Sequence, residues 1–287
     1  STIPYVNIGE TLNQGFDSNI EYSQKIGNVY VTARGNFTYN RNKLKNNDEP
    51  DWEYKYQNRI GKPFGSGGSM QPFGLVALGL FQSQEEIDNS PVQSFGEYRV
   101  GDIKYQDING DGVINSQDQI AIGYTNLPEI MYGFGATAQW KNWDFNVFFN
   151  AAFGAQRLNL VDFAMNSMVG ASMFVTAKDH FANVGNTMPT PGATNSNYGN
   201  SSKWLENADY LRCENISIAY TLPRKVTKFA DIRLSLSAQN LFTITGYKGI
   251  DPAGASFSAN SVDVDNGMDM GAYPNPRTIT VGVRMNF

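Results

Sequence analysis

One stretch of this chain carries a spacing that specifies a chemistry: Asp107-Ile108-Asn109-Gly110-Asp111-Gly112-Val113-Ile114-Asn115-Ser116-Gln117-Asp118. Oxygen-bearing side chains recur at every second position from Asp107, Gly112 permits a sharp turn, and an acidic residue closes the twelfth position. This is the pattern of a calcium-binding loop. Asp107, Asn109 and Asp111, the Val113 carbonyl, Asn115 (through water) and Asp118 would supply the oxygen cage that a hard divalent cation requires. Asp in place of Glu at the last position shortens the bidentate reach and lowers the expected affinity. The other reading of the same residues is an Asp/Asn/Gly-rich turn that binds nothing. Glu97–Tyr105 upstream has the pattern of a strand and not of a helix, so the loop is expected to stand alone, with a structural calcium ion and no sensor role.

Other chemistries find little support. The chain has one histidine and one cysteine, which excludes an internal disulfide, a thiolate zinc cluster and any mechanism needing two imidazoles. A serine mechanism would rest on His180, in Thr176-Ala177-Lys178-Asp179-His180-Phe181, and a lone loop histidine is far more often solvated than catalytic. Neither Asp48 and Asp51 nor Asp263 and Asp265 have a spacing that singles out an acid–base pair. No catalytic residue and no organic cofactor site is expected, and the chain is not read as an enzyme. Gly65-Ser66-Gly67-Gly68-Ser69 lacks the Gly-Lys-Ser/Thr of a phosphate loop and reads as a hinge or loop tip. Met268, Met270 and the 263–269 stretch read as solvated turn. Trp52, Tyr54 and Tyr56 either stack on sugar rings or form a strand face packed under the loop. A formal charge of −5 (22 basic against 27 acidic residues) argues against a nucleic-acid partner.

The elements that must position these residues are strands. No 18-residue apolar run exists, so no transmembrane helix is available. Aromatic residues make up 13% of the chain and charged residues only 17%, below the roughly 25% of soluble domains. Period-two alternation covers about 15–26 and 29–40, where Val29, Val31, Ala33, Gly35, Phe37 and Tyr39 oppose Tyr30, Thr32, Arg34, Asn36, Thr38 and Asn40. It returns at 131–141 and at 143–153, with Trp143, Phe145, Val147, Phe149, Ala151 and Phe153 against Asp144, Asn146 and Asn150. It is less clean at 210–222, and recurs at 232–244 and 278–287. A soluble sandwich also alternates, but its strands average about 5–6 residues. These runs match the ~9–11 residues a tilted strand needs to cross a bilayer. The fold class is therefore all-β, a transmembrane antiparallel β-barrel.

Connections alternate short and long. Ile26–Asn28, Lys141–Asn142 and Pro223–Asp231 are short; 43–129, 156–207 and 246–276 are long. Short periplasmic turns and long extracellular loops are the habit of outer-membrane barrels, and Trp140 and Trp143 flank one short turn where an aromatic belt belongs. Phe287 is then periplasmic. Seven crossings would leave the first residue outside, whereas single-chain bacterial barrels use even strand numbers, and no signal peptide leads the chain. The expectation is that residues 1–287 are C-terminal strands of a longer barrel.

Several segments, in order, resemble the SusC/RagA-like group of TonB-dependent transporters of Bacteroidota. These are Gly79-Leu80-Phe81-Gln82-Ser83-Gln84-Glu85-Glu86-Ile87, where Ser83 and Glu86 read as a capping box, and Gly101-Asp102-Ile103-Lys104-Tyr105. They continue with Trp204-Leu205-Glu206-Asn207-Ala208-Asp209-Tyr210-Leu211-Arg212, Asn215–Pro223, Gln239-Asn240-Leu241-Phe242, Asp251-Pro252 and Tyr273–Thr278, and end on Phe287. The resemblance implies a plugged barrel of roughly 22 strands in the outer membrane of a Gram-negative bacterium. It implies nutrient uptake, of an oligosaccharide or a peptide, with energy relayed by TonB through an N-terminal region. It also implies a SusD-like surface lipoprotein as lid, and N-terminal barrel and plug portions of the same protein as neighbours of these strands. The residues alone also allow a stand-alone calcium-dependent surface adhesin or binding barrel.

Overall fold

The computed structural model describes residues 7–64, 72–125, 127–160, 189, 201–254, 268–269, 271 and 273–287. His180, Gly65–Ser69, Asp263, Asp265 and Met270 lie outside them.

Glu10–Ile26 (β1) and Val29–Asn46 (β2) form the first long hairpin. Six short strands follow in the first long connection: Phe73–Gly74 (β3), Ala77–Leu80 (β4), Val92–Gln93 (β5), Ile103–Tyr105 (β6), Val113–Ile114 (β7) and Ile120–Ala121 (β8). Ile130–Trp140 (β9) and Trp143–Phe153 (β10) make the second long hairpin. Gln156–Asn159 (β11) and Leu205–Asn207 (β12) flank the second long connection. Tyr210–Leu222 (β13) and Asp231–Thr245 (β14) form the third hairpin. Met268–Asp269 (β15) and Thr278–Asn286 (β16) complete the chain.

The seven long strands make one antiparallel sheet in the order β1-β2-β9-β10-β13-β14-β16, an up-and-down meander whose edges are β1 and β16. Pairing register carries one apolar face across all seven. Val29 lies opposite Trp140, Trp140 opposite Trp143, Trp143 opposite Tyr220, Tyr220 opposite Leu234, and Leu234 opposite Val283. Its side chains are widely exposed: Ile20, Phe134, Phe145, Leu236 and Val281 are all accessible. A soluble sheet would bury such a face, whereas a lipid-facing barrel wall displays it. Ring contacts tie neighbouring strands along it, Phe134 stacked on Phe149 at 5.1 Å and Trp143 tilted against Tyr220 at 4.6 Å between centroids.

Two details correct the simple alternation. Phe148 interrupts the polar face of β10, lying over Gly133 and Gly135 of β9 under the Arg34 guanidinium, 5.0 Å above its ring. In β13 the pairing shifts between Cys213 and Asn215. Glu214 is the extra residue of this bulge, so Leu211 and Cys213 share the face of Ile216, Ile218 and Tyr220 although their number parity differs. A bulge of this kind resets the alternation, which is why the pattern over 210–222 reads poorly. The partner strand accommodates it with Asn240 in the left-handed region (φ 49).

The short turns are tight: Gly27 (φ 59) and Lys141 (φ 54) both adopt left-handed backbone. The third holds a short helix, Arg224–Thr227, whose first N–H donates to Asp231 at 2.6 Å.

The three long connections meet beyond the opposite end of the sheet. Leu75, Ile103, Tyr105 and Ile114 from the first pack with Leu158 and Trp204 from the second into a buried apolar cluster. β15 of the third pairs in parallel with β11 of the second. Ser83 caps the helix Gln84–Asp88 by accepting from the Glu86 N–H at 3.1 Å, while the Glu86 carboxylate accepts from the Gln82 N–H at 2.8 Å.

Candidate functional site

The Asp107–Asp118 loop leaves β6 and ends in a single 3-10 turn, Ser116–Asp118. With no helix on either side it is an isolated loop. Its carboxylates organise the backbone. Asp107 accepts from the N–H groups of Gly110 (2.7 Å) and Gly112 (2.8 Å), and Asp111 accepts from Val113 N–H (2.8 Å). Asp118 is fully buried and accepts from Ile108 N–H and Asn115 N–H, both at 2.8 Å. Gly110 (φ 77) and Gly112 (φ 84) supply the left-handed residues that the turn needs.

Asn109 accepts from Asp111 N–H at 3.0 Å, and Asn115 accepts from Gln117 N–H at 2.7 Å while its amide donates to the Val113 carbonyl at 3.4 Å. All six expected ligands thus lie in one compact turn. Among the described residues, no three His, Cys, Asp or Glu side chains converge as a metal cluster. The donor set here is mixed, three carboxylates with two amides and a carbonyl, all oxygen. The Asp107 and Asp111 oxygens that hold one N–H keep a second lone pair for a cation, whereas Asp118 Oδ1 accepts from both Ile108 N–H (2.8 Å) and Asn109 N–H (3.4 Å). An all-oxygen donor set is the kind that a hard cation takes.

Tyr54 and Tyr56 pack against this loop. They stack at 5.3 Å, the Tyr56 hydroxyl donates to the Gln117 carbonyl at 2.7 Å, and the Asn109 amide donates to the Tyr54 hydroxyl at 3.3 Å. The Tyr56 phenol is pushed above its ordinary value, first by burial and then by the nearby Asp118, Tyr54, Asp107 and Asp111. Tyr54 is the N-cap of a 3-10 turn, Lys55–Gln57, and Tyr56 lies within it, so the pair is not on a strand.

The face opposite the apolar one is a polar wall. Asn146 donates to Asn215 at 2.8 Å, Ser23 and Thr32 share a hydrogen bond at 2.8 Å, and Arg233 pairs with Asp144. Alternation alone placed Ser23, Thr32, Asp144 and Asn146 on it.

What alternation could not reveal is a buried node at the loop end of β13 and β14. Arg212 and Asp251, 7% and 6% exposed, form an ion pair at 2.5 Å. Arg212 also donates to Thr243 at 2.9 Å. Asp251 further accepts from the N–H of Ala253 (2.9 Å) and from both the N–H and the amide of Asn275 (3.1 Å each). Asn240 donates to the Pro276 carbonyl at 3.1 Å. The node therefore gathers Arg212, Asn240, Asp251, Asn275 and Pro276 from four separate segments singled out in the sequence. Burial raises the proton affinity of Asp251, but the Ala253 and Asn275 N–H groups and Arg212 outweigh it and hold the carboxyl below its usual value. A depressed folded pKa means that this stability is present above about 3.9, the ordinary aspartate value, and is lost as pH falls through the lower folded value. Limited proteolysis of the 246–276 connection across an acid titration is expected to show protection at neutral pH and faster cleavage only below that range.

No family model matches the chain. It is 29% identical over 299 aligned positions to TonB-dependent receptor P3 of Formosa agariphila, covering 98% of this chain and 29% of that protein. It is 31% identical over 222 positions to TonB-dependent receptor P26 of the same organism, covering 75% of this chain and 22% of that protein. To TonB-dependent receptor SusC of Bacteroides thetaiotaomicron it is 24% identical, covering 98% and 27%. Among solved structures, the RagAB peptide transporter superposes with a TM-score of 0.70 at 21% identity, covering 98% of this chain and 30% of that one. The open-open state of the RagAB importer gives 0.67 at 19%. The chain spans less than a third of the length of each of these proteins.

Proposed function

We propose that the chain is SusC/RagA-like, a part of a TonB-dependent receptor of the outer membrane, and that it serves active import of a nutrient across that membrane. The observation that carries this reading is a single sheet with a continuous apolar face and a continuous polar face, in a chain alignable over almost its whole length with TonB-dependent receptors. In this reading the apolar face meets lipid and the polar wall lines the lumen beside a plug. The seven strands are C-terminal strands of the barrel, and β1 and β16 pair with the others. TonB supplies the energy and a SusD-like lipoprotein covers the loop end. The cargo is an oligosaccharide or a peptide, and no chemical step is performed on it. Uptake of labelled oligosaccharides and peptides by cells with and without the protein tests the proposal. Saturable uptake that vanishes on deletion, and on collapse of the proton gradient, is expected. Uptake of the whole panel that ignores both would overturn it.

Calcium belongs to the same reading as a structural ion of the external loop, held by Asp107, Asn109, Asp111, the Val113 carbonyl, Asn115 through water, and Asp118. It would neutralise three clustered carboxylates and brace the Tyr54–Tyr56 pair. Asp107→Ala is expected to accelerate protease cleavage of the 47–129 connection in calcium to the rate that chelator produces in the wild type, with barrel assembly unchanged. Equal cleavage of wild type in calcium and in chelator would show that the turn holds no ion.

A further inference from the structure

The register of the last strand poses a physical problem. In β16, Ile279, Val281, Val283 and Met285 face Ala238, Leu236, Leu234 and Ile232 of β14. Alternation fixes which face these residues take, but a slip of two residues preserves every face. Moved two residues so that Arg284 lies opposite Asp231, β16 would still set Val283 against Ile232, Val281 against Leu234 and Ile279 against Leu236. Cross-strand charge even favours that slip. The observed register places Arg284 directly opposite Arg233, a like-charge pair that the Arg233–Asp144 ion pair offsets in part, whereas the slipped one would pair Arg284 with an aspartate. The slip costs two pairs of the ladder, leaving Ala238 and Gln239 without partners at the loop end and carrying Met285 and Asn286 past Asp231 at the turn end.

What resists the slip is the node just upstream. Asn275 is held by two hydrogen bonds to Asp251, and Pro276 by one from Asn240. Asp251 is itself fixed to β13 through Arg212, and Arg212 to β14 through Thr243. Only Arg277 separates Pro276 from the first residue of β16. A two-residue slip moves the strand about 6–7 Å, which no hydrogen bond in this set would survive. We propose that Asp251 sets the register of β16, clasping the Asn275–Pro276 lead-in so that the final strand docks on β14 in one position out of two that its own side chains allow.

Paired cysteines test this in the outer-membrane protein, in a Cys213→Ala background. Ser237 and Thr280 are register partners and lie within disulfide reach, whereas a residue two positions along a neighbouring strand, about 7–8 Å away, does not. With Asp251 intact, oxidation should link Ser237→Cys to Thr280→Cys and leave Ser237→Cys with Thr278→Cys unlinked. Asp251→Ala should raise the Ser237–Thr278 cross-link at least ten-fold and lower the native one. Asn240→Ala combined with Asn275→Pro, which removes the amide and N–H bonds of Asn275 while keeping the buried ion pair, should shift the cross-link in the same direction and covers the case in which Asp251→Ala fails to assemble. Exclusive native cross-linking in an assembled barrel that lacks these hydrogen bonds would overturn the proposal, whatever the transport assays report.

Discussion

Gly135→Val is expected to remove the assembled protein from the outer membrane. Gly135 sits in the middle of β9, paired on both sides. A Cβ there would come within 2.3 Å of the Val147 carbonyl oxygen and within 2.8 and 3.0 Å of Phe148 Cδ2 and Cα. The first contact is with backbone, so no rotamer change relieves it, and β9 and β10 would have to separate. Ordinary overpacking costs ~1–3 kcal/mol; forcing apart a ladder in lipid leaves N–H and C=O groups without partners, at several kcal/mol each. Phe148→Ala should not rescue the variant, because the carbonyl remains. Gly35→Ala is the control: its Cβ would meet only the Gly133 carbonyl, at an ordinary 3.6 Å. The amount of heat-modifiable protein in outer-membrane fractions reads both, and normal yields of Gly135→Val would mean that the strands do not approach as described.

The second large effect concerns the lipid face of β16. Val283 lies opposite Leu234, both exposed on the apolar face. Val283→Arg puts a charge into hydrocarbon near mid-strand, and about 2–4 kcal/mol of destabilisation is expected. Thr280 lies opposite Ser237 on the polar face, so Thr280→Arg should cost far less. Urea unfolding from detergent or liposomes measures both. If Thr280→Arg were the more damaging change, the facing of β16, and with it that of β14, would be reversed.

The long strands were legible because a barrel wall imposes one rule over ten or more residues, apolar out and polar in, and Val29–Tyr39 obeys it without exception. Legibility failed where that rule was locally suspended. Glu214 shifts the phase of β13, and only the pairing with Phe148 and Phe149 reveals where. Phe148 looks misplaced until Gly133 and Gly135 are found beneath it. The sheet also runs further toward the loops than alternation suggested, with β1 starting at Glu10 and β2 ending at Asn46, since beyond the bilayer neither face needs to be apolar. The calcium-type loop was readable because all its donors fall within twelve consecutive positions. The Arg212–Asp251 node was not, because its two charged members are 39 positions apart and nothing in their types announces that they meet. The same holds for β5 with β7 and β11 with β15, pairings of two residues each, too short for any periodicity to exist.

The shared core of the long connections has a mechanical consequence. Three connections tethered separately to strand ends would behave as three independent arms. Here Leu75, Ile103, Tyr105 and Ile114 are wedged against Leu158 and Trp204, and β15 is zipped to β11. Displacing one connection means exposing that core to water or carrying its neighbours along. The described parts of the connections are therefore coupled mechanically, and a force applied to one is shared by the other two.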